Sequence, residues 1–173
     1  MDSKISLVIP VFNESDEIEN FFNDLKFCNF DLINEIIFID DFSADDSSNL
    51  LEEKIDEFKK LFVNTNFLLL NNLKNRGYGF SIKKGINKSN NDSIAIIDLD
   101  RTYKIEDLNY IANQFINDYK LEYDLISGER EIDTTNTSRL KIIGKTIINS
   151  ITNFCFDEKI VDSKTGLISL NKF

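Results

Sequence analysis

SIAIIDLD, Ser93–Asp100, is an unbroken apolar run that ends in two carboxylates one residue apart. A strand buried on both faces reads as continuous Val, Ile and Leu rather than as alternation, and such strands belong to parallel sheets covered by helices on both sides. Three further runs have the same character: Ile5–Val11, Glu35–Ile39 and Phe67–Leu70. Segments of helical period lie between and after them. Ile18, Phe21, Phe22 and Leu25 share one face, as do Leu51, Ile55, Phe58 and Phe62, and Ile105, Leu108, Ile111, Phe115 and Tyr119 make a third stripe. Buried runs alternating with amphipathic segments predict βα units and an α/β fold with a mainly parallel, Rossmann-like sheet flanked by helices.

The remaining segments fit the same plan. Ser43-Ala44-Asp45-Asp46 is expected to cap the second helix, with acidic residues where the helix dipole favours them. Asn75-Arg76-Gly77-Tyr78-Gly79 opens another helix. Tyr123–Ser127 is expected to be a fifth strand, and the polar stretch from Glu129 to Ser138 a loop. A fourth amphipathic helix is expected from Arg139 to Phe154, with Leu140, Ile143, Ile147, Ile151 and Phe154 on one side and a basic patch, Arg139, Lys141 and Lys145, in its opening turns. No repeat or low-complexity linker divides the 173 residues, so a single domain over 1–173 is expected. A chain of that length buries roughly 70% of its unfolded surface.

Composition narrows the chemistry. A net charge of −10 disfavours non-specific binding to a nucleic-acid backbone, which depends on Lys and Arg, so any nucleotide partner should be small. The absence of histidine removes imidazole bases, histidine triads and most zinc sites. Cys28 and Cys155 lie in apolar helical patterns and read as structural thiols in a reducing compartment. The amino-terminal apolar run is far shorter than the ~20 residues of a membrane span and lacks signal-peptide form. A cytoplasmic protein is expected, with room for peripheral contact at the inner face of a membrane.

In an open α/β sheet, ligands bind outside the carboxyl ends of the strands, where the strand order reverses. Pro10, Phe12, Asn13 and Glu14 follow the first strand, Asp40 and Asp41 the second, and Asp98, Leu99 and Asp100 the fourth. Two carboxylates so close repel unless a cation lies between them, and hard divalent cations prefer oxygen, so Asp98 and Asp100 suggest a Mg2+ or Mn2+ site. The same spacing also occurs in solvated turns. Asp40-Asp41 would either accept hydrogen bonds from a base or ribose or belong to the start of the second helix. The glycines of Asn75–Gly79 would allow close approach to phosphate, but Ile82 stands where a dinucleotide fingerprint needs glycine and no Gly-Lys-Ser/Thr follows. An NAD-dependent enzyme and a P-loop are thereby disfavoured. A nucleotidyltransferase lacks support too, because no glycine-rich loop with its lysine follows the first strand.

Taken in order, VIPVFNE (Val8–Glu14), IDDFSADDS (Ile39–Ser47), NRGYGFSIKKG (Asn75–Gly85), DLDRTYKIEDL (Asp98–Leu108), SGER (Ser127–Arg130) and DSKTGLISLNK (Asp162–Lys172) resemble the successive motifs of family 2 glycosyltransferases. The D-x-D-x-T-Y-x-x-E-D variant is similar to the polyprenyl-phosphate branch, that of dolichol-phosphate mannose synthases. The resemblance implies a GT-A fold that binds a nucleoside-diphosphate sugar of the GDP-mannose or UDP-glucose type, and an inverting transfer of a hexose to a polyprenyl phosphate. It implies that Pro10, Phe12 and Glu14 line the nucleotide pocket, that Asp41 faces the base, and that Asp98 and Asp100 hold the metal. Asp100, Arg130 and Arg139 would serve catalysis, the arginines by neutralising phosphate charge. A lipid phosphate is already an anion near neutral pH, so such an acceptor needs no general base.

Transfer to a hydroxyl would need one, with Glu106, Asp107 and Glu129 as candidates. Arg101 stands where the family usually has a small or apolar residue, placed to pair with a carboxylate or a phosphate, and Glu129 stands in place of a serine. Relatives usually continue past the position of Phe173, so the domain is expected to be short at its carboxyl end. The alternative is a nucleotide-sugar-binding or inactive relative that acts as a partner or regulator.

Overall fold

Parallel strands need crossovers of a dozen or more residues, and the spacing of the apolar runs supplies them. The computed structural model describes residues 4–119, 125–128 and 166–171. Its elements are β1 (Ile5–Val11), α1 (Ser15–Leu25), β2 (Ile33–Asp40), α2 (Ser47–Leu61), β3 (Asn66–Asn71), α3 (Tyr78–Lys88), β4 (Ser93–Ile97), α4 (Ile105–Gln114), a π-helical turn over Phe115–Tyr119, β5 (Leu125–Ser127) and β6 (Leu167–Asn171). The expected Arg139–Phe154 helix, the Glu129–Ser138 loop and Cys155 lie outside the described residues.

The sheet runs β3-β2-β1-β4-β6-β5. β1 pairs parallel with β2 and β4, and β2 with β3, whereas β6 lies antiparallel between β4 and β5. The architecture is thus α/β with a mainly parallel sheet, as the alternation of runs predicts. β6 is the addition. Only three of its five residues, LISLN, are apolar, so the segment carries a weaker signature than β1 or β4.

Strand alternation sends the core to two sides. Leu7, Ile9, Phe38, Ala95 and Ile97 join Phe21 and Phe22 of α1, Leu51 and Phe58 of α2 and Leu108 of α4. Val8, Ile37, Ile39, Ile94 and Ile96 form the other layer, against Ile82 and Ile86 of α3. Phe22 stacks on Phe38 at 5.2 Å and meets Phe58 edge-on at 4.9 Å, locking α1 and α2 to β2. At the amino ends of the strands, the buried Glu35 carboxylate accepts from Ser6 Oγ, Asn66 Nδ2 and the Asn90 backbone and side chain, tying β1, β2, β3 and the α3–β4 connection together. Cys28 is buried, and burial pushes its thiol up to about 12, as befits a structural cysteine.

The expected cap of α2 is corrected. The helix starts at Ser47 with no side-chain cap and no acidic residue in its first turn. Asp45 instead accepts from the backbone N–H groups of Ser15 and Ser47, so its carboxylate binds the start of α1 to the start of α2.

α3 lies close to the sheet because Gly85 has no side chain. A Cβ there would sit 2.5 Å from Val8 Cγ1 and 2.9 Å from Ile39 Cδ1. Val8 is β-branched with its neighbours fixed, so it has little freedom to yield. Gly85→Ala is expected to lower stability by about 1–3 kcal/mol, because overpacking outweighs alanine's better helix propensity. Urea unfolding measures this, and a variant as stable as the parent would show that the contact relaxes without cost.

Candidate functional site

The strand order reverses between β1 and β4. Their ladder ends at Val8–Ile96, while β1 remains paired with β2 as far as Val11–Asp40. Beyond Val8 the two central strands part. Pro10 lies in this parted segment, where a residue with no N–H removes no ladder bond on the β4 side. The opening is a cleft of about 230 Å³ lined by Pro10, Val11, Phe12, Glu14, Tyr78, Asp98, Leu99 and Asp100. Five of the residues singled out from the sequence, Pro10, Phe12, Glu14, Asp98 and Asp100, therefore line one cleft. A larger hollow of about 330 Å³ between α2 and β3 opens on the outer edge of the sheet, away from these residues.

Leu99 is 1% exposed and anchors in the core, which turns Asp98 and Asp100 on either side of it to the cleft. Asp98 is held from two directions. Tyr78 Oη donates to its Oδ1 at 2.8 Å, and a Cβ on Gly166, just before β6, would fall on its carboxylate. Asp100 accepts from the Thr102 backbone N–H at 2.9 Å. Glu14 has its pKa raised, first by burial and then by the charges of Asp100, Glu17, Asp45 and Asp98. The Tyr78 hydroxyl is raised as well, by burial, by its bond to Asp98 and by the charges of both aspartates. Burial and the neighbouring carboxylates thus act on both groups in the same direction.

Such a cleft suits a divalent cation. Both carboxylates are hard oxygen donors, and Mg2+ is usually held by one or two of them together with substrate phosphates rather than by a full protein cage. Among the described residues no cluster of three or more His, Cys, Asp or Glu side chains forms such a cage. The fit is to an ion shared with a bound phosphate.

The rim is strained and tightly tied. Asn13, Phe42 and Arg101, which follow β1, β2 and β4, adopt left-handed φ values of 56°, 66° and 59°. Each such residue costs of order 1 kcal/mol or more and persists only where its surroundings fix it. Asn13 donates its N–H to Ser43 Oγ and accepts the Ala44 N–H, and Glu14 N–H donates to Ser47 Oγ, zipping the two loops together. Arg101 pairs with Asp24 at 2.8 Å and Glu17 at 3.7 Å, so its charge goes to α1.

Asp40 and Asp41 do different work. Asp40 accepts from Ser43 Oγ and closes the turn after β2. Asp41, 4% exposed, accepts from Asn72 Nδ2 at 2.7 Å, Arg76 N–H at 2.9 Å and Gly77 N–H at 2.7 Å. The start of α3 is an anion site, as helix N-termini are, and the chain's own carboxylate occupies it. Gly77 supplies the required φ of 85°. The hydrogen bonds that Asp41 makes here are to this loop, which aims Tyr78 at Asp98. Sequence reasoning gave Tyr78 and Gly166 no role, although both stand in the quoted motifs. Arg130 and Arg139 lie outside the described residues.

Burial raises the pKa of Asp41, and its bonds from Asn72, Arg76, Gly77 and Ser81 outweigh that, leaving it lowered. A depressed carboxylate contributes stability above its unfolded pKa, about 3.9, and loses it as pH falls through the folded value. Asp41→Asn should cost about 1–3 kcal/mol at pH 7. The gap between parent and variant should narrow in acid. Urea titrations at neutral and acidic pH measure both, and a gap independent of pH would mean that the charge does not hold the loop.

Comparison with known proteins agrees with this architecture. The chain is 27% identical over 133 residues to the dolichyl-phosphate beta-glucosyltransferase of Dictyostelium discoideum, across 73% of this chain and 39% of that protein. It is 28% identical over 183 residues to the UDP-N-acetylglucosamine–dolichyl-phosphate N-acetylglucosaminyltransferase of Methanococcus voltae, across 99% of this chain and 70% of that one. The chain thus spans about two fifths of the first relative's length. Among solved structures, glucosyl-3-phosphoglycerate synthase of Mycobacterium tuberculosis with Mn2+, UDP-glucose and phosphoglyceric acid superposes with a TM-score of 0.71 at 14% identity, over 98% of this chain and 57% of that one. The mannosyltransferase PcManGT of Pyrobaculum calidifontis, in complex with GDP-Man and Mn2+, gives 0.64 at 12% identity, over 99% and 45%. These likenesses establish the GT-A fold. The profile of Glycosyl transferase family 2 matches residues 6–167, nearly the whole chain, and the protein belongs to that family.

Proposed function

We propose that this chain binds a nucleoside-diphosphate hexose in the cleft between β1 and β4 and transfers the hexose, with inversion, to a polyprenyl phosphate. The observation that supports the reading is the pair of carboxylates, Asp98 and Asp100, that line the cleft at the switch point, with Asp98 accepting from Tyr78. Two carboxylates so placed suit a diphosphate that arrives with a divalent cation better than a bare one. Both named relatives act on dolichyl phosphate, which supports an acceptor of that class.

In this reading Pro10 and Phe12 shape the nucleotide side of the cleft and Asp98 and Asp100 hold the ion against the diphosphate. A bound Mg2+ or Mn2+ supplies the positive charge that the leaving diphosphate requires as its bond to the sugar breaks. An oxygen of the acceptor phosphate attacks the anomeric carbon from the opposite side, and the nucleoside diphosphate departs with the electron pair. The acceptor oxygen carries no proton, so the step needs no base, consistent with a chain that has no histidine. Arg130 and Arg139 are assigned to phosphate neutralisation on their motif positions alone. Rate then depends on positioning and preorganised charge.

Calorimetric titration with GDP-mannose and UDP-glucose, with manganese and then with chelator, tests the donor site. One of them should bind with a metal dependence. Asp98→Ala or Asp100→Ala should weaken that binding at least about tenfold, or ~1.4 kcal/mol, while the melting temperature stays within a few degrees. Unchanged affinity in either variant would remove its assigned role. Binding without turnover on polyprenyl phosphate would instead identify a nucleotide-sugar-binding relative.

A further inference from the structure

Among the described residues, the sheet separates the charges of its helices. On one face, α1 and α4 carry acidic residues and no lysine or arginine, and α2 carries both signs. On the other face, α3 carries Lys83, Lys84 and Lys88 and no acid, and the loop that leads into it adds Lys74 and Arg76. From Leu73 to Lys88 there is no acidic residue at all, in a chain whose net charge is −10.

This cationic stretch also presents apolar groups to solvent. Leu73 is 96% exposed and Phe80 40% exposed. Arg76 lies over the Phe80 ring at 4.3 Å, and Lys83 follows Phe80 at helical spacing on the same side. The loop is pinned along the first turns of α3, since Asn72 Nδ2 donates to Ser81 Oγ and Lys84 Nζ donates to the Asn71 carbonyl. Leu73, Lys74, Arg76, Phe80 and Lys83 therefore belong to one surface beside the mouth of the cleft, where Tyr78 reaches Asp98.

We propose that this surface is a docking face for an anionic lipid bilayer, with Lys74, Arg76 and Lys83 meeting the headgroups and Leu73 and Phe80 entering the boundary of the acyl chains. Charge complementarity argues for this occupant. The acidic helices opposite are repelled by the same bilayer, so the field both attracts the protein and orients it. An apolar side chain flanked by cations is the composition that interfacial segments use. The face is distinct from the Arg139–Lys145 patch. It rests on the transferase reading only in that a cleft opening beside the membrane would meet a lipid-borne acceptor.

Co-sedimentation of the full chain with vesicles tests it, using phosphatidylcholine alone or mixed with phosphatidylglycerol and no polyprenyl phosphate, so that the outcome is independent of the donor and acceptor assignments. Binding is expected to the anionic vesicles only and to weaken as salt rises. The combined variant Lys74→Glu, Arg76→Glu, Lys83→Glu should lower the partition coefficient at least about tenfold. Lys59→Glu with Lys60→Glu on α2 changes net charge on the opposite face and should have a much smaller effect. Circular dichroism confirms folding, and Lys74→Ala with Lys83→Ala provides a milder variant if the triple reversal unfolds. No binding to anionic vesicles, equal loss in the α2 variant, or retention on heparin without vesicle binding would overturn the proposal.

Discussion

Two neighbouring parallel strands can remain paired only while their continuations run the same way. β1 hands the chain on through α1 to β2, towards one edge of the sheet, whereas the strands after β4 pair towards the other edge, and the β1–β4 ladder stops at Val8–Ile96, where a gap opens between them. Everything that gives this protein a site follows from that parting. Pro10 is tolerated in a central strand because the strand has lost a neighbour there, and the residues just past each strand end face each other across the gap. A fold without the reversal would carry the same carboxylates along a closed sheet edge.

The gap is kept in shape by hydrogen bonds that run between loops rather than within them. Asn13, Ser43, Asp45 and Ser47 join the ends of β1 and β2, and Asp41 grips the start of α3 from below. These bonds fix left-handed residues that have no glycine to relieve them. The result is preorganisation: Tyr78 reaches Asp98 because its backbone is fastened to Asp41, and Asp98 lies against Gly166 because β6 pairs with β4 up to Leu167.

How much of this could be read from residues alone depended on whether a signal is local. β1 and β4 are legible because runs dominated by Ile, Val, Leu and Ala suit a strand covered on both faces. Asp98 and Asp100 are legible because the strand-end rule needs only a strand and the few residues after it. β6 was hidden because only three of its five residues are apolar. The bonds of Asp41 were hidden for a different reason. Its partners Arg76 and Gly77 contribute backbone N–H groups, which every residue but proline possesses, so no residue type announces them. Tyr78 and Gly166 act on Asp98 from distant positions in the chain, and only the folded sheet brings them there. Ser43–Asp46 misled because short polar residues cap turns between loops as readily as helices.

The disposition of cations around the cleft makes the same point in electrostatic terms. Arg101, directly after Asp100, turns to Asp24 and Glu17 on α1. Lys84 spends its ammonium on the Asn71 carbonyl and Asn72 Oδ1, and Arg76 lies over Phe80. A surface selected only for stability would gain by folding one of these groups onto Asp98 or Asp100, since an opposite charge within about 4–6 Å favours the ionised carboxylate. Among the described residues these three are directed elsewhere, and Glu14, its pKa raised first by burial, also registers the charges of Asp100, Glu17, Asp45 and Asp98. In the proposed reading, a divalent cation arriving with a diphosphate would complete the oxygen donors gathered at this rim.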